Sequence, residues 1–498
     1  MKQKILLLFF SILVSSAGFS QRETTWWYFG NGTGLDFTKV LDGVDLVPTK
    51  VSGPIATGEG CCALSDYNGN LLMASDGRTV YNKNRAVMKN GTGLLGHESS
   101  SQSSIVMARP SHPNQYYIVT VPDYATGSGT ANGINYSIVD LSLEGGLGEV
   151  TEKNKPLYTG DHLSSPPGNE YGRTNIYENI GAVQHSNGND YWLVHRFRQY
   201  FYIWFVSKDG IGPDPIRVVP IGHDPGTDMN QSPGNIKFSK DGRFIAHAGW
   251  AGLALGHFDT TTGDITNISH IPATSPFTNR LSYSCEFSPS GEYLYFNVGW
   301  GTYGSYRVNT NVSLGAQTAV QYNTTCKGYG MQLGPDGKIY SFDQYILWVI
   351  EDPDAGGTNV SFYPGFFTYQ ELKHPQVSHL ALNLPTFAMP RMMSLNLPNE
   401  ICANNSNLYV LNFAMPPAIS VDHLEWNFGD GTIINDSDFL NPVHSHNHTY
   451  AKSGNYTLTI TPYKDASKTT PITEWATTKL VKVSSCIMPV NPNIHIFH

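Results

Sequence analysis

The sequence predicts an all-β protein: a β-propeller of about seven blades followed by a small β-sandwich. One observation is a strand–turn–strand hairpin that recurs along most of the chain. A second is composition, since charged residues make up only 14% while there are 49 Gly, 30 Pro and 28 Tyr residues. Many short strands joined by turns have this composition, whereas helical bundles and coiled coils do not.

The clearest hairpin spans residues 285–297, CEFSPSGEYLYFN. Pro289 and Gly291 favour a turn between two strands, because proline presets one turn dihedral and glycine accepts a positive one. The residues after the turn alternate in polarity with the period of a strand. Related hairpins lie at 62–73, 105–120, 181–195, 236–248 and 330–342.

The spacing of the hairpins predicts the blades. The turn glycines Gly242, Gly291 and Gly337 lie 49 and 46 residues apart, which fits four-stranded propeller blades. A ring of such sheets buries each blade against its neighbours. We expect the seventh blade to combine Trp26–Phe37 with Leu380–Met389. Six or eight blades, or a long array of β-sandwiches, are the alternatives.

Composition divides the chain into five parts, which are a signal peptide at 1–20, the propeller at 21–392, a linker at 393–402, a sandwich at 403–486 and a tail at 487–498. In the fourth part Tyr456, Leu458 and Ile460 alternate on one strand, and Trp426 is expected in the sandwich core. The signal peptide has Lys2 and Lys4 before a ten-residue apolar core. That core is too short for the alternative, a membrane anchor.

These features predict a protein that is secreted or held on the outer cell surface. No later apolar segment is long enough for a membrane span. The net charge of −9 and the lack of a dense basic patch argue against nucleic acid as a partner.

Export makes the six cysteines candidates for disulfides. Cys402 and Cys486 bracket the sandwich and would close it, and Cys285 and Cys326 begin comparable strands of successive repeats. Cys61 and Cys62 are adjacent, so they are either two buried thiols or a strained vicinal pair. Connectivity does not follow from sequence alone.

Two resemblances add to this interpretation. Residues 426–432 (WNFGDGT), with Asn441-Pro442, His448-Thr-Tyr450 and the strand at 454–458, resemble a polycystic-kidney-disease (PKD) domain over about 402–486. This resemblance implies an immunoglobulin-like sandwich that acts as a spacer or an interaction module without catalysis. Residues 27–37, 65–72, 90–95 and 333–340 resemble the propeller of secreted, PKD-bearing proteins of gliding Bacteroidetes, often exported by the type IX route. That resemblance implies extracellular or cell-surface work.

The histidines of the sandwich are a candidate metal site. His444, His446 and His448 are spaced by two, so on a strand all three rings would face one side. Three imidazoles could hold zinc or copper. The alternative is that His448 belongs to the sandwich and the other two lie in a loop.

Aromatic residues at loops or strand ends are the candidate ligand contacts of the propeller, because aromatic faces suit sugar rings or peptides. They are Tyr171, Tyr177, Tyr200, Trp250, Trp300 and Tyr303. Burial in the core is the alternative for each.

Catalytic motifs are missing from the sequence: there is no G-x-S-x-G elbow, H-E-x-x-H helix or P-loop. We therefore expect a non-catalytic protein without a cofactor, which binds an extracellular polysaccharide or a surface protein through its propeller. The alternative is a polysaccharide-degrading hydrolase or lyase at the propeller mouth. Its carboxylates would come from long loops, with Glu170, Glu178, Asp224 and Asp228 as candidates. The favoured alternative for these four residues is that they are solvated loop acids.

Overall fold

Short strands form almost all of the secondary structure. A computed structural model describes residues 22–66, 69–112, 114–123, 132–158, 176–187, 190–222, 233–249, 252–272, 283–298, 304–311, 319–323, 329–343, 345–356, 359–373, 382–388, 393–396, 401–413, 421–437, 443–471 and 477–485. The helices in these ranges are α1 (Thr38–Leu41), α2 (Tyr369–Leu372) and 3-10 turns at Arg22–Thr24, Glu144–Gly146 and Pro353–Ala355. Nearly all other regular structure is β, as the sequence predicts.

The first sheet has three antiparallel strands: β1 (Trp26–Phe29), β2 (Asn31–Asp36) and β3 (Thr49–Ala56). Gly30 joins β1 to β2 with a φ of +60°. A Cβ at this position would lie 2.5 Å from the carbonyl oxygen of Glu371. Glycine therefore allows both the turn and the close approach of α2.

The second sheet has eight strands and consists of two four-stranded units. The units are β4 (Cys62–Ser65), β5 (Leu71–Ser75), β6 (Thr79–Asn82) and β7 (Val87–Thr92), and then β8 (Ser104–Ala108), β9 (Gln115–Thr120), β10 (Ile134–Asp140) and β11 (Glu149–Leu157). Their last strands pair in parallel where Glu149 opposes Lys89. An ion pair of 3.2 Å joins the same two side chains. No sequence pattern predicts this parallel pairing.

Four further antiparallel sheets follow along the chain. The third contains β12 (Gly181–Gln184), β13 (Tyr191–Phe197), β14 (Tyr200–Ser207), β15 (Gly210–Ile211) and β16 (Arg217–Pro220), and the fourth contains β17 (Gly234–Phe238), β18 (Phe244–Gly249), β19 (Gly252–Phe258) and β20 (Ile265–Pro272). The fifth contains β21 (Cys285–Phe287), β22 (Tyr293–Val298), β23 (Gly304–Asn309) and β24 (Val320–Asn323), and the sixth contains β25 (Met331–Leu333), β26 (Ile339–Asp343), β27 (Ile346–Ile350) and β28 (Val360–Tyr363).

Contacts between the first strands of successive units arrange the sheets as a ring. In chain order β1 contacts β4, β4 contacts β8, and the series continues through β12, β17, β21 and β25. The sixth sheet then packs on the first, since Trp27 meets Tyr340 edge-on at 5.7 Å between ring centroids and Phe29 stacks on Phe342 at 5.4 Å. Sheets that meet in this way form a β-propeller.

The hairpin turns have the predicted glycine conformation. Gly242, Gly291 and Gly337 have φ values of 75°, 73° and 82°. In the 285–297 hairpin, Cys285 pairs with Phe296 in the β21–β22 register. Tyr295 is fully buried, and its hydroxyl donates a hydrogen bond to the Pro353 carbonyl. This tyrosine therefore packs between sheets.

The segment 382–388, predicted as a strand of the first sheet, is not assigned to any strand. It nevertheless lies beside the residues that precede β4. The amide of Leu382 donates a hydrogen bond to the Gly58 carbonyl, and the amide of Thr386 donates one to the Cys61 carbonyl. Leu384 joins the core that the first and sixth sheets share. Proline at 385 has no amide hydrogen to donate, which limits regular pairing here.

The C-terminal part contains two sheets over one core. The first has β29 (Met393–Asn396), β31 (Asn407–Phe413) and β34 (Val443–His448), and the second has β30 (Ile401–Cys402), β36 (Thr477–Ser484), β35 (Gly454–Tyr463), β32 (His423–Asn427) and β33 (Ile433–Asp436). The shared core includes Tyr409, Trp426, Leu458 and Ile460. The predicted placement of Trp426 is confirmed.

The segment 393–402, which the sequence predicts as a linker, contains two short strands. Its first part forms β29, which pairs with β31, and its last two residues form β30, which pairs with Val483–Ser484. The backbone groups of an exposed linker would have no partner in the protein, whereas pairing with β31 and β36 provides hydrogen-bond partners for β29 and β30.

The described cysteines correct the disulfide prediction in part. Cys285 is a buried free thiol, so it forms no bridge to Cys326. Its Sγ lies 3.8 Å from Asn235 Oδ1, and its side chain packs in the core shared with the fourth sheet, the preceding sheet in the chain. Cys402 is not a free thiol, but Cys326 and Cys486 lie outside the described residues. The pairing of Cys402 with Cys486 stays a prediction.

Cys61 and Cys62 are also buried free thiols. They pack into different cores, Cys61 with the first and sixth sheets and Cys62 with the two units of the second. Opposite faces of an extended segment explain this separation. Of the two alternatives, buried thiols and a vicinal disulfide, the structure contains the first.

A candidate binding site at the mouth of the propeller

The segments that lead into the first strands converge at one end of the ring, which we call the mouth. Residues 57–60 run beside 98–100, with the amides of Gly58 and Glu59 both donating to the Glu98 carbonyl. A Cβ at Gly60 would lie 2.1 Å from the Ser103 amide nitrogen. This close approach requires glycine and places Glu59 next to the serine-rich run 99–104.

Ser101 is the centre of a buried hydrogen-bond network. Its hydroxyl lies 3.3 Å from Glu59 Oε2 and 3.2 Å from Glu178 Oε2. The same oxygen accepts a hydrogen bond from the Gly234 amide at 3.1 Å. Tyr283 donates its phenolic proton to Glu59. Residues that precede the first strands of four units therefore meet here.

Gln102 and His195 fix the segment that carries Glu178. The Gln102 side-chain oxygen accepts hydrogen bonds from the amides of Ile180, at 3.0 Å, and Ile236, at 2.8 Å. His195 Nδ1 lies 2.7 Å from the Asn179 carbonyl oxygen, and burial lowers the pKa of this imidazole to about 4. A neutral imidazole donates through Nδ1 in this arrangement.

Burial controls the protonation of Glu59. It raises the pKa of this carboxyl well above its usual value of 4.5, and the charge of Glu178 raises it further. Hydrogen bonds from Tyr283, Ser99 and Ser101 oppose that rise. Two carboxyl groups that share a hydroxyl partner in a buried place favour one proton between them. We assign that proton to Glu59.

Charged side chains extend the network toward solvent at the rim. Arg78 Nη1 lies 2.6 Å from Glu98 Oε2, and the arginine side chain is 34% exposed. His97, which is 26% exposed, accepts a hydrogen bond from the Ser99 amide through Nδ1. Asp123 Oδ1 lies 3.5 Å from this nitrogen, and Glu98 Oε2 lies 3.7 Å from Nε2 of the same ring. Glu98 and Asp123 are themselves buried. Glu98 thus fixes the Arg78 guanidinium, and the Ser99 amide fixes the His97 ring, while both head groups remain partly exposed.

The mouth network, defined as Glu59, Arg78, His97, Glu98, Ser99, Ser101, Asp123, Glu178 and Tyr283, offers two kinds of chemistry. Its rim presents hydrogen-bond donors and acceptors in fixed positions. Its floor holds a protonated carboxyl beside a second carboxyl. Within the described residues, no group of three or more His, Cys, Asp or Glu side chains is arranged to hold a metal ion.

The predicted aromatic contacts are only partly described. Tyr171, Trp250, Trp300 and Tyr303 lie outside the described residues. The prediction does not hold for Tyr177, whose ring is 1% exposed and packs 4.9 Å from Phe197. Tyr200 is half-buried at the start of β14, and its hydroxyl accepts a hydrogen bond from Gln199.

Among the loop carboxylates, Glu170, Asp224 and Asp228 also lie outside the described residues. Glu178 is buried in the network, so it is not the solvated loop acid that the sequence favoured. The sequence did not point to its partners. A local signal existed for Glu59, an acidic residue between two glycines directly before a strand, and for Ser101, in a run of serines.

The three predicted histidine ligands lie on β34 with alternating positions on one strand face. His444 Nδ1 and His446 Nε2 lie 3.2 and 3.0 Å from Asp436 carboxylate oxygens, and His448 Nε2 lies 2.9 Å from Asp430. The rings of His446 and His448 pack on Trp426 and Phe428. The expected common face is present, but the imidazoles bind two carboxylates and form no metal centre.

Acid is expected to weaken the sandwich through Asp436. Burial raises the pKa of Asp436, but hydrogen bonds from His444, His446 and Trp426 outweigh it and lower the pKa to about 2. Because the unfolded carboxyl titrates at about 3.8, this contribution is complete above about pH 4 and is lost as the pH falls toward 2. We expect a loss of about 2 kcal/mol in unfolding free energy over that window.

Urea unfolding between pH 2 and 5 measures this loss, with hydrogen exchange at the amides of β35 as the probe of unfolding. Asp436→Asn should have a flatter profile there. Asp422→Asn, in the same domain, is the matched control and should retain the wild-type profile. Equal slopes for wild type and Asp436→Asn would contradict the assignment.

Comparisons with known proteins give similarity to solved structures only. No protein-family model matches the sequence, and no curated protein matches it. A Bacteroides uniformis protein provisionally assigned as a 6-phosphogluconolactonase is 14% identical, with 68% of this chain and 100% of that chain covered and a TM-score of 0.41. The β-propeller domain of Swd1 from Myceliophteria thermophila is 10% identical, with coverages of 68% and 96% and a TM-score of 0.40.

The PKD domain of an M14-like peptidase from a Thermoplasmatales archaeon is 15% identical, with 18% of this chain and 92% of that chain covered and a TM-score of 0.14. With TM-scores this low, these likenesses carry no conclusion about function. No helix among the described residues is long and apolar enough to cross a membrane.

Proposed function

We propose that this protein is exported and binds an extracellular polysaccharide at the mouth of its propeller without catalysis. One observation carries the proposal: buried Glu98 holds Arg78 and the Ser99 amide orients His97 at the rim, where both side chains remain partly exposed. Fixed polar groups of this kind match the hydroxyl groups of a sugar, because little ordering is needed when the ligand binds.

The proposed architecture is a closed ring of seven blades with a PKD-like spacer. The first sheet and the segment 382–388 would form the seventh blade, in support of which both pack on the sixth sheet. The spacer is supported by the two sheets around Trp426. A rigid ring with a spacer would present its mouth away from the surface that carries it.

A glycan array followed by calorimetry with the best ligand tests the proposal. We expect Arg78→Met to weaken binding tenfold or more, because it removes a rim donor together with its ion pair to Glu98. Arg243→Met is the matched control, since Arg243 is an exposed arginine in a turn at the opposite end of the ring. Its affinity should equal that of the wild type. The absence of any glycan ligand, or equal effects of the two variants, would contradict the proposal, and a hit on a protein array would redirect it to a protein partner.

A polysaccharide hydrolase or lyase is the second candidate function, and Glu59 with Glu178 is the observation that favours it. A carboxyl with a raised pKa beside a second carboxyl is an arrangement that acid–base catalysis uses. Turnover of a polymer that Glu59→Gln and Glu178→Gln each reduce by at least about a hundredfold would establish it. Both carboxyls are almost completely buried in the described structure, which is why binding is the preferred function.

The raised pKa of Glu59 also predicts how the propeller responds to pH. The unfolded carboxyl releases its proton near pH 4.5, whereas the folded one retains it to higher pH. The unfolding free energy should therefore fall as the pH rises above about 4.5, until the folded group titrates. Glu59→Gln removes this titrating group, so the unfolding free energy of the variant should depend less on pH between about pH 5 and 8.

Urea unfolding at several pH values measures the difference. Glu152→Gln, an exposed carboxylate on β11, is the control and should follow the wild type. Parallel curves for wild type and Glu59→Gln would show that Glu59 is ionised in the folded protein.

A further inference from the structure

A small cavity of about 10 Å³ lies between the fifth and sixth sheets, and no member of the mouth network is among its described lining residues. This space is close to the minimum that holds one water molecule. Met331, Ile339 and Ile350 provide apolar wall, while Asn297, Ser341 and Trp348 bring polar groups to it. All three polar residues are at least nine-tenths buried, with exposures of 3%, 4% and 8%.

Three polar atoms in this wall have no hydrogen-bond partner among the residues that the structure describes: Asn297 Nδ2, Ser341 Oγ and Trp348 Nε1. The amide and indole nitrogens can only donate, whereas the hydroxyl can donate or accept. Buried donors without partners are rare in folded proteins, and a bound water or ion is a common explanation.

Strand pairing brings the three groups together. Ser341 and Trp348 are direct partners in the register of β26 and β27. Asn297 lies on β22 of the neighbouring sheet, opposite Ser305 on β23. The Ser305 hydroxyl donates to Asn297 Oδ1 at 2.7 Å, which identifies that end of the amide as the oxygen and leaves the nitrogen as the donor without a partner.

We propose that the cavity binds one ordered water molecule that joins the fifth and sixth sheets. The water oxygen accepts hydrogen bonds from Asn297 Nδ2 and Trp348 Nε1, and one of its hydrogens is donated to Ser341 Oγ. Size favours water over a halide, which is larger. Charge favours it too, because the residues that line the cavity include no cation to balance a buried anion.

A crystal structure of the full chain at high resolution tests the assignment. We expect a single density peak within about 3.2 Å of Asn297 Nδ2, Ser341 Oγ and Trp348 Nε1. Crystals grown in sodium bromide distinguish water from a halide, since bromide would give an anomalous peak there. A cavity without density, or an anomalous peak at this position, would overturn the proposal.

Solution measurements on variants provide a second test that does not depend on crystals. Magnetic relaxation dispersion of ¹⁷O water counts long-lived internal waters. The double variant Ser341→Val/Trp348→Phe removes two partners and fills part of the space, so it should lose one such water. Met331→Leu changes the apolar wall of the same cavity without removing a donor, and it should keep that water. An unchanged count in the folded double variant would contradict the site.

Discussion

Replacing Glu286 with glutamine should lower the unfolding free energy of the propeller by about 3–5 kcal/mol. Glu286 is fully buried on β21, where its Oε2 accepts hydrogen bonds from Lys237 Nζ at 2.9 Å and from the Leu333 amide at 3.0 Å. Lys237 Nζ also donates to Gln332 Oε1 at 2.5 Å. Glutamine retains an oxygen for the Leu333 amide but leaves the buried ammonium without its counter-ion. Urea unfolding at pH 7 measures the loss.

A double-mutant cycle isolates the ion pair from the general effect of mutation. Lys237→Met alone leaves the carboxylate unpaired and should also be strongly destabilising. The combination Lys237→Met/Glu286→Gln buries no net charge and should recover most of the lost free energy. Glu152→Gln breaks an exposed pair with Lys155 and should cost less than about 1 kcal/mol. Additive effects of the two single changes would contradict a direct interaction.

The Lys237–Glu286 pair also shows which parts of the fold were accessible from sequence. The hairpin at 285–297 was predictable because its turn depends on neighbouring residues, among them Gly291 with its positive φ. Alternating polarity then gives the strand faces. The pair itself was not predictable, since Lys237 and Glu286 lie in different hairpins and nothing local indicates that their strands are neighbours in a ring.

The mouth network was missed for the same reason. Glu59, Ser101, Glu178 and Tyr283 come from four separate stretches of the chain, each leading into a first strand. Sequence reasoning named Glu178 but treated it as a solvated acid, because burial depends on where the ring places the residue. The sequence predicts ligand contacts at aromatic residues, but Tyr177 is buried in the core. Aromatic residues occur both in buried cores and at binding sites, so the residue type alone does not distinguish a core residue from a ligand contact.

In the sandwich, local pattern and tertiary position agreed for Trp426 and disagreed for the histidines. The alternation in β34 correctly predicted a shared face for His444, His446 and His448. These imidazoles contact Asp430, which follows β32, and Asp436, which is the last residue of β33. Spacing within one strand cannot reveal a carboxylate supplied by another sheet. A metal was therefore expected where ion pairs and ring packing hold the side chains.

Trp426→Ala is the change expected to affect the sandwich most, with a loss of about 3–5 kcal/mol in its unfolding free energy. The indole is fully buried, packs with Phe428 and His446, and donates a hydrogen bond of 2.9 Å to Asp436 Oδ2. Alanine leaves a cavity between the two sheets and removes one donor that stabilises the Asp436 carboxylate. Hydrogen exchange at the amides of Leu458 and Ile460, within the full chain, reports the loss directly.

Two further variants separate the cavity from the hydrogen bond. Trp426→Phe keeps most of the buried ring but removes the donor, so its effect should be smaller, at about 1–3 kcal/mol for the lost hydrogen bond and the lost volume. Ile433→Ala, at a half-exposed position on β33, is the control and should change stability by no more than about 0.5 kcal/mol. If Trp426→Ala and Ile433→Ala had equal effects, Trp426 would not be the centre of the core. If instead Trp426→Phe were as damaging as Trp426→Ala, the hydrogen bond to Asp436 would outweigh packing, and the acid sensitivity of the domain would have to be measured again in that variant.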